Sequence, residues 1–130
     1  MKKKGKFSSK SSTLLGKEAE ERAFQYFSSQ SGIDVLARNY RTARGEIDLI
    51  CYDANEACVI FIEVRSGSGQ NFALCQNSID VRKKQKIAQV ARNFIENMNR
   101  SYRRVRFDAI FIEREEPYRI EHVKDIIMLV

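Results

Sequence analysis

The run Val59-Ile60-Phe61-Ile62 constrains this chain more than any other stretch, because it is apolar on both faces of a strand. Side chains alternate across a strand, so a run with no polar side needs cover above and below. The spacing predicts a strand over 57–65, placed centrally in a sheet with helices on both faces. A second strand is predicted over 45–53, joined to it by a short polar loop around Asn55 as a β-hairpin whose turn lacks glycine. A strand over 33–40 precedes them, with imperfect alternation. Val105 to Glu113 reads as a strongly apolar strand, and Tyr118 to His122 as an edge strand after the break at Pro117.

The helical cover is legible too. Thr13 is placed to cap a helix running to about Gln30, and Leu15, Ala19, Ala23 and Phe27 form its buried stripe. Ser31-Gly32 ends it. After a loop over 66–77, Ser78 is placed to cap a long helix to about Asn99, with Ile87, Ala88, Ala91, Phe94, Ile95 and Met98 facing the sheet. Helix, three strands, helix, strands gives an α/β fold: a mixed central β-sheet flanked by helices. One domain over 13–130, preceded by a disordered Lys/Ser-rich tail over 1–12, accounts for the chain.

Charge is distributed unevenly. The net charge is +6, but residues 1–10 carry five lysines and no acid. Residues 78–106 hold nine basic and two acidic side chains, whereas 107–130 hold three and six. A basic segment beside an acidic sheet suits a protein that handles phosphates, and it equally describes a solvated helix face. No apolar run reaches the roughly 18 residues of a membrane span. Cys51, Cys58 and Cys75 form no CxxC pair and have one histidine for company, which argues against structural zinc. They read as reduced thiols of a cytoplasmic protein, with Cys51 and Cys58 acting as small buried hydrophobes.

The alternation also assembles a constellation. Glu46, Asp48 and Ile50 share one face of the second strand, and Phe61, Glu63 and Arg65 share one face of the third. A hairpin that pairs Asp53 with Cys58 puts Asp48 directly opposite Glu63, with Cβ atoms about 4.5–5.5 Å apart. Like charges so close call for a cation. Either a metal bridges the carboxylates or a basic side chain does, and a surface charge pair at strand ends is the plainer reading. Mg²⁺ suits such a pair, filling its remaining positions with water and phosphate oxygens.

Several motifs carry a resemblance. They are Leu15-Gly16 with Ala19-Glu20 and Ala23, Arg38-Asn39-Tyr40-Arg41, Gly45-Glu46-Ile47-Asp48-Leu49-Ile50, Phe61-Ile62-Glu63-Val64-Arg65, Lys84-Gln85-Lys86-Ile87 and Arg106-Phe107-Asp108. Together they resemble the YraN-type family of bacterial nuclease-like proteins, within the restriction-endonuclease-like superfamily. That superfamily places an Asp on one strand and E-x-K on the next. The resemblance implies a restriction-endonuclease-like core in which Asp48 and Glu63 ligate Mg²⁺ or Mn²⁺. It implies that Glu20 approaches the metal through water, and that Lys84 and Gln85 correspond to the family's Lys-Gln pair. By spacing, Lys84 lies on the stripe of Ile87, Ala88 and Ala91 at the first turn of the helix, which would let it point toward the sheet end and a phosphate.

Arg65 stands where the superfamily has lysine, Gly67 where the family usually has a further basic residue, and Phe72-Ala73 where it has Phe-Gly. Arginine cannot act as a base, but its planar fork can hold a phosphate or clamp both carboxylates. The expected catalytic set is therefore Glu20, Asp48, Glu63, Arg65 and Gln85. Lys84, Arg103 and Arg104 are the expected nucleic-acid contacts, with DNA as partner and a homodimer left open. The activity expected is metal-dependent cleavage of DNA phosphodiesters. A nucleic-acid-binding module without turnover is the alternative, and a protein-interaction domain with a decayed site is a third reading.

Overall fold

The computed structural model describes residues 14–68, 79–116 and 118–126, the side chains of residues 14 and 15 excepted. The expected tail, the Thr13 and Ser78 caps, the Leu15 side chain, Cys75 and most of the loop over 66–77 lie outside these residues.

Helix α1 spans Leu14–Ser28. Its Ala19, Ala23 and Phe27 are each at most 1% exposed, which is the predicted four-residue stripe. Gly32 then turns the chain at φ +83°. An added Cβ there would lie 2.7 Å from Asn55 Nδ2, so glycine serves both the conformation and the close approach.

Strand β1, Ile33–Thr42, runs two residues past the predicted Tyr40 and carries a register shift between Val35 and Ala37. The extra residue explains the imperfect alternation: Val35 packs with α1, while Leu36 and Ala37 pack on the other face. Strand β2 is Gly45–Asp53, as predicted, and β3 is Cys58–Gly67. Ala57 was expected inside β3, but its φ of +50° places it in the turn instead. Asp53 organises that turn, its Oδ1 accepting from Asn55 N at 2.9 Å.

Helix α2, Val81–Asn97, is capped by Asp80, whose side chain accepts from Lys83 N at 3.0 Å. Asp80 has extended backbone and a carboxylate in reach of the first turn, which sets the helix start two residues later than a Ser78 cap would. Strand β4 is Arg104–Glu113 and β5 is Ile120–Val123. The five strands lie in the order β1-β2-β3-β4-β5, all neighbours antiparallel except β3 and β4. A parallel pair needs a crossover, and α2 lies in it.

Both faces of β3 are covered. On one, Leu49, Cys51, Cys58, Ile60, Ile62 and Val64 pack with α1. On the other, Ile50, Tyr52, Val59 and Phe61 pack with Ile87, Val90 and Ala91 of α2. Phe61 stacks on Phe107 at 5.3 Å and meets Phe94 edge-on at 6.0 Å. Cys51 and Cys58 are buried thiols, and burial pushes Cys51 up to about 12. No helix among the described residues is long and apolar enough to cross a membrane.

Candidate functional site

The β2–β3 ladder pairs Asp53 with Cys58 and runs to Leu49 with Ile62. Asp48 and Glu63, expected opposite each other, are the residues just beyond that last pair. Both are buried, at 4% and 3% exposure. Asp48 does not continue the ladder. Its Oδ2 accepts from Val64 N at 2.8 Å, so the carboxylate takes the place a strand carbonyl would fill and is fixed against β3.

Glu63 faces α2, on the same side of β3 as Phe61. Its Oε2 lies 3.4 Å from Arg65 Nε and 3.4 Å from Lys83 Nζ. Glu63 thus meets two cations from different elements. Lys83 was not among the residues singled out from sequence. It lies one turn before Ile87 and two before Val90, so the stripe spacing would have found it once the cap at Asp80 fixed the helix start. With about 100° of rotation per residue, only one of three consecutive side chains can face the sheet corner. Lys84 points elsewhere and lines a cavity of about 370 Å³ with Ile79, Phe111, Glu121 and Val123. Gln85 is exposed.

The other expected residues stand on α1 and at the start of β4. Glu20 is 8% exposed on α1, the helix that covers the opposite face of the sheet. Among the described residues no three His, Cys, Asp or Glu side chains converge into a metal-sized group. Arg103 and Arg104 stand at the start of β4, where Arg103 N donates to Ala57 O at 2.7 Å and Arg104 pairs with Glu56 at 3.2 Å. Arg104 is level with Cys58, five residues along β3 from Glu63. At about 3.3 Å per residue that is roughly 17 Å from the carboxylates. Arg100 pairs with Asp34 at 3.1 Å and covers the Tyr52 ring.

A second buried charge cluster lies on the α1 face, and sequence reasoning assigned it no role. Arg106 holds Asp108 through Nε and Nη2, both at 3.0 Å. His122 Nε2 donates to Asp108 Oδ2 at 2.7 Å, and its Nδ1 is hydrogen-bonded with Tyr26 Oη at 3.2 Å. Asp125 N donates to Asp108 Oδ1 at 3.0 Å. Burial pushes the Asp108 carboxyl up, but these hydrogen bonds from His122, Arg106 and Asp125, with the Arg106 charge, hold it below its ordinary 3.8. The RFD motif was the available signal, because Arg and Asp two apart on one strand share a face.

The donor chemistry at Asp48 and Glu63 fits a hard dication, which takes one or two carboxylates and water for the rest. Arg65 and Lys83 already balance that pair, so a cation entering there would have to displace at least one of them from Glu63.

This five-stranded mixed sheet flanked by helices, with Asp48 and Glu63 on adjacent strands, is a restriction-endonuclease-like core. The chain belongs to the YraN-type family, described as the uncharacterised protein family UPF0102, whose profile matches residues 19–112. It is 33% identical over 115 residues to a UPF0102 protein of Persephonella marina, covering 88% of this chain and 97% of the relative. A UPF0102 protein of Pseudothermotoga lettingae is 38% identical over 110 residues, or 85% and 95% of the two chains. One from Methylobacillus flagellatus is 37% identical over 111 residues, covering 85% and 94%.

Proposed function

We propose that this protein is a cytoplasmic, metal-dependent nuclease that cleaves phosphodiesters of DNA at Asp48 and Glu63. The observation that carries the reading is the approach of Lys83 to Glu63 Oε2. The strand position that holds lysine in the superfamily is Arg65 here, and α2 supplies a compact ammonium at the same oxygen instead. Asp48 and Glu63 would hold Mg²⁺ or Mn²⁺, which when bound polarises a phosphoryl oxygen and lowers the pKa of its water. Asp48 is oriented by Val64 N, Lys83 places positive charge beside the reacting phosphate, and the Arg65 fork can take a phosphoryl oxygen.

Plasmid and branched DNA incubated with Mn²⁺ test this directly. Cleavage by the wild type that disappears in Asp48→Ala and in Lys83→Ala is expected. Cleavage that survives Asp48→Ala would place the chemistry elsewhere. A second reading, a nucleic-acid-binding module without turnover, is favoured by the same corner seen differently. Arg65 and Lys83 together neutralise the acidic pair without any metal.

A further inference from the structure

Four basic side chains not assigned to nucleic acid from sequence gather beside the carboxylate corner. Arg41 comes from the end of β1, Arg44 from the β1–β2 turn, and Lys83 and Lys86 from the first turns of α2. They line a cleft of about 400 Å³, whose only carboxylate among the described lining residues is Glu46. Lys83 belongs to both places, lining the cleft and touching Glu63 at 3.4 Å.

The cleft is held open by specific contacts. Gly45 adopts φ +146°, a conformation that side-chain-bearing residues rarely reach, and this carries the turn toward α2. Arg44 Nη1 then donates to Gln89 Oε1 at 3.1 Å, tying the turn to the helix across 45 residues of sequence. Arg41 is paired with Glu46 at 2.9 Å, whereas Lys86 is exposed and has no carboxylate within ion-pair distance among the described residues. Positive charge therefore exceeds negative in a concave site next to the acidic pair, which concentrates field lines on an anion.

We propose that this cleft anchors the phosphodiester backbone of one nucleic-acid strand, through Arg44 and Lys86, and feeds it toward Glu63. The inference rests on the reading of Asp48 and Glu63 as the reacting site. No aromatic ring is among the described residues that line the cleft, so these offer phosphate contacts without base stacking. Binding is then sequence-independent. The Arg103–Arg104 end of the sheet, where Arg104 is paired with Glu56, is not the entry.

The test compares three full-length chains: wild type, Arg44→Ala/Lys86→Ala and Arg103→Ala/Arg104→Ala. Affinity for a fluorescent DNA duplex and for its single strand is measured against salt concentration, with inorganic phosphate as competitor. Each lost phosphate contact flattens the log–log salt slope by about 0.7–0.9, so the cleft variant, lacking two, should be flatter by roughly 1.4–1.8. The Arg103/Arg104 variant should keep the wild-type slope. Arg44→Lys/Lys86→Arg should restore it, because the charges return while the side-chain shapes differ.

An unchanged slope in the cleft variant, or a loss confined to the Arg103/Arg104 variant, overturns the proposal. So does a wild type that binds neither strand form. Failure of the metal reading shows separately, because a Mn²⁺-induced rise in melting temperature depends on Asp48 and not on Arg44 or Lys86. A wild type without that rise, whose cleft variant still loses slope, keeps the anchor and discards the metal.

Discussion

Asp108 and Glu63 lie on adjacent strands, one residue apart in register and on opposite faces of the sheet, and each meets positively charged or hydrogen-bonding partners. Their surroundings differ. Asp108 is 1% exposed and enclosed by Arg106, His122 and the Asp125 amide at 2.7–3.0 Å. Glu63 is 3% exposed, but Arg65 and Lys83 approach it at 3.4 Å, and the Lys83 side chain is 24% exposed and lines an open cleft. Short multidentate hydrogen bonds close the first cluster into a strut between β4, β5 and α1. Longer ion pairs to side chains with access to solvent leave the second able to exchange partners. The same chemical ingredients therefore make an enclosed brace on one face and a looser, more accessible ion-pair cluster on the other.

The largest expected effect breaks the brace. Asp108→Ala leaves the Arg106 guanidinium without its carboxylate in a buried setting, and should cost about 3–5 kcal/mol in urea unfolding. Glu63→Gln should stay within about 1 kcal/mol of wild type, since it removes one of two adjacent like charges and keeps the side-chain shape. Equal losses in the two variants would erase the distinction.

Next comes the response to metal. Mn²⁺ at about a hundred times its Kd should stabilise the folded chain by about 2.7 kcal/mol, read as a rise in melting temperature. Asp48→Ala and Glu63→Ala should each abolish the rise. A response retained in both variants would move the site away from this corner.

Acid should sharpen the contrast by a smaller amount. The folded Asp108 carboxyl titrates below its ordinary value of 3.8, so in that window the unfolded chain binds more protons. Its stabilising contribution is full above 3.8 and is lost as pH falls through the folded value. Urea midpoints followed from about pH 5 to pH 2 should fall less steeply in Asp108→Asn than in wild type. Parallel curves would mean that the brace does not set the acid limit.

The fold and the core of the hairpin were readable because both follow from period-two alternation and one register. Asp53 pairs with Cys58, and the ladder from there to Leu49 with Ile62 follows from that pairing. What escaped depends on geometry that residue spacing does not encode. The helix start at Asp80 fixed the rotation of α2, and that rotation chose Lys83 over Lys84 and Gln85 to face the sheet corner. The charge excess over 78–106 looked like one basic surface. Arg100 and Arg104 meet Asp34 and Glu56, however, residues 66 and 48 positions away in sequence. Asp108 was visible in a motif, yet its partners come from β4, β5 and the residues after β5, and Tyr26 of α1 reaches only His122. Only folding brings them together.

The smallest expected effect concerns Arg65, the departure from the superfamily's lysine. Its Nε lies 3.4 Å from Glu63 Oε2, and its side chain is 12% exposed, so it shares the oxygen that Lys83 also approaches. A guanidinium spreads its charge over a planar fork that can span two carboxylates, whereas an ammonium is compact and can stand beside an ion and its water. Arg65→Lys keeps the net charge and shortens the reach. It should therefore release Glu63 toward a dication, tightening Mn²⁺ binding by about threefold, or roughly 0.65 kcal/mol. The change is modest because Lys83 already supplies the ammonium and stays in place. Titrations of melting temperature against Mn²⁺ for wild type and Arg65→Lys measure it without relying on turnover. Cleavage of plasmid DNA should rise in the same direction. Weaker Mn²⁺ binding by Arg65→Lys, or cleavage by the wild type that vanishes in the variant, would show the arginine to be the working residue rather than a clamp.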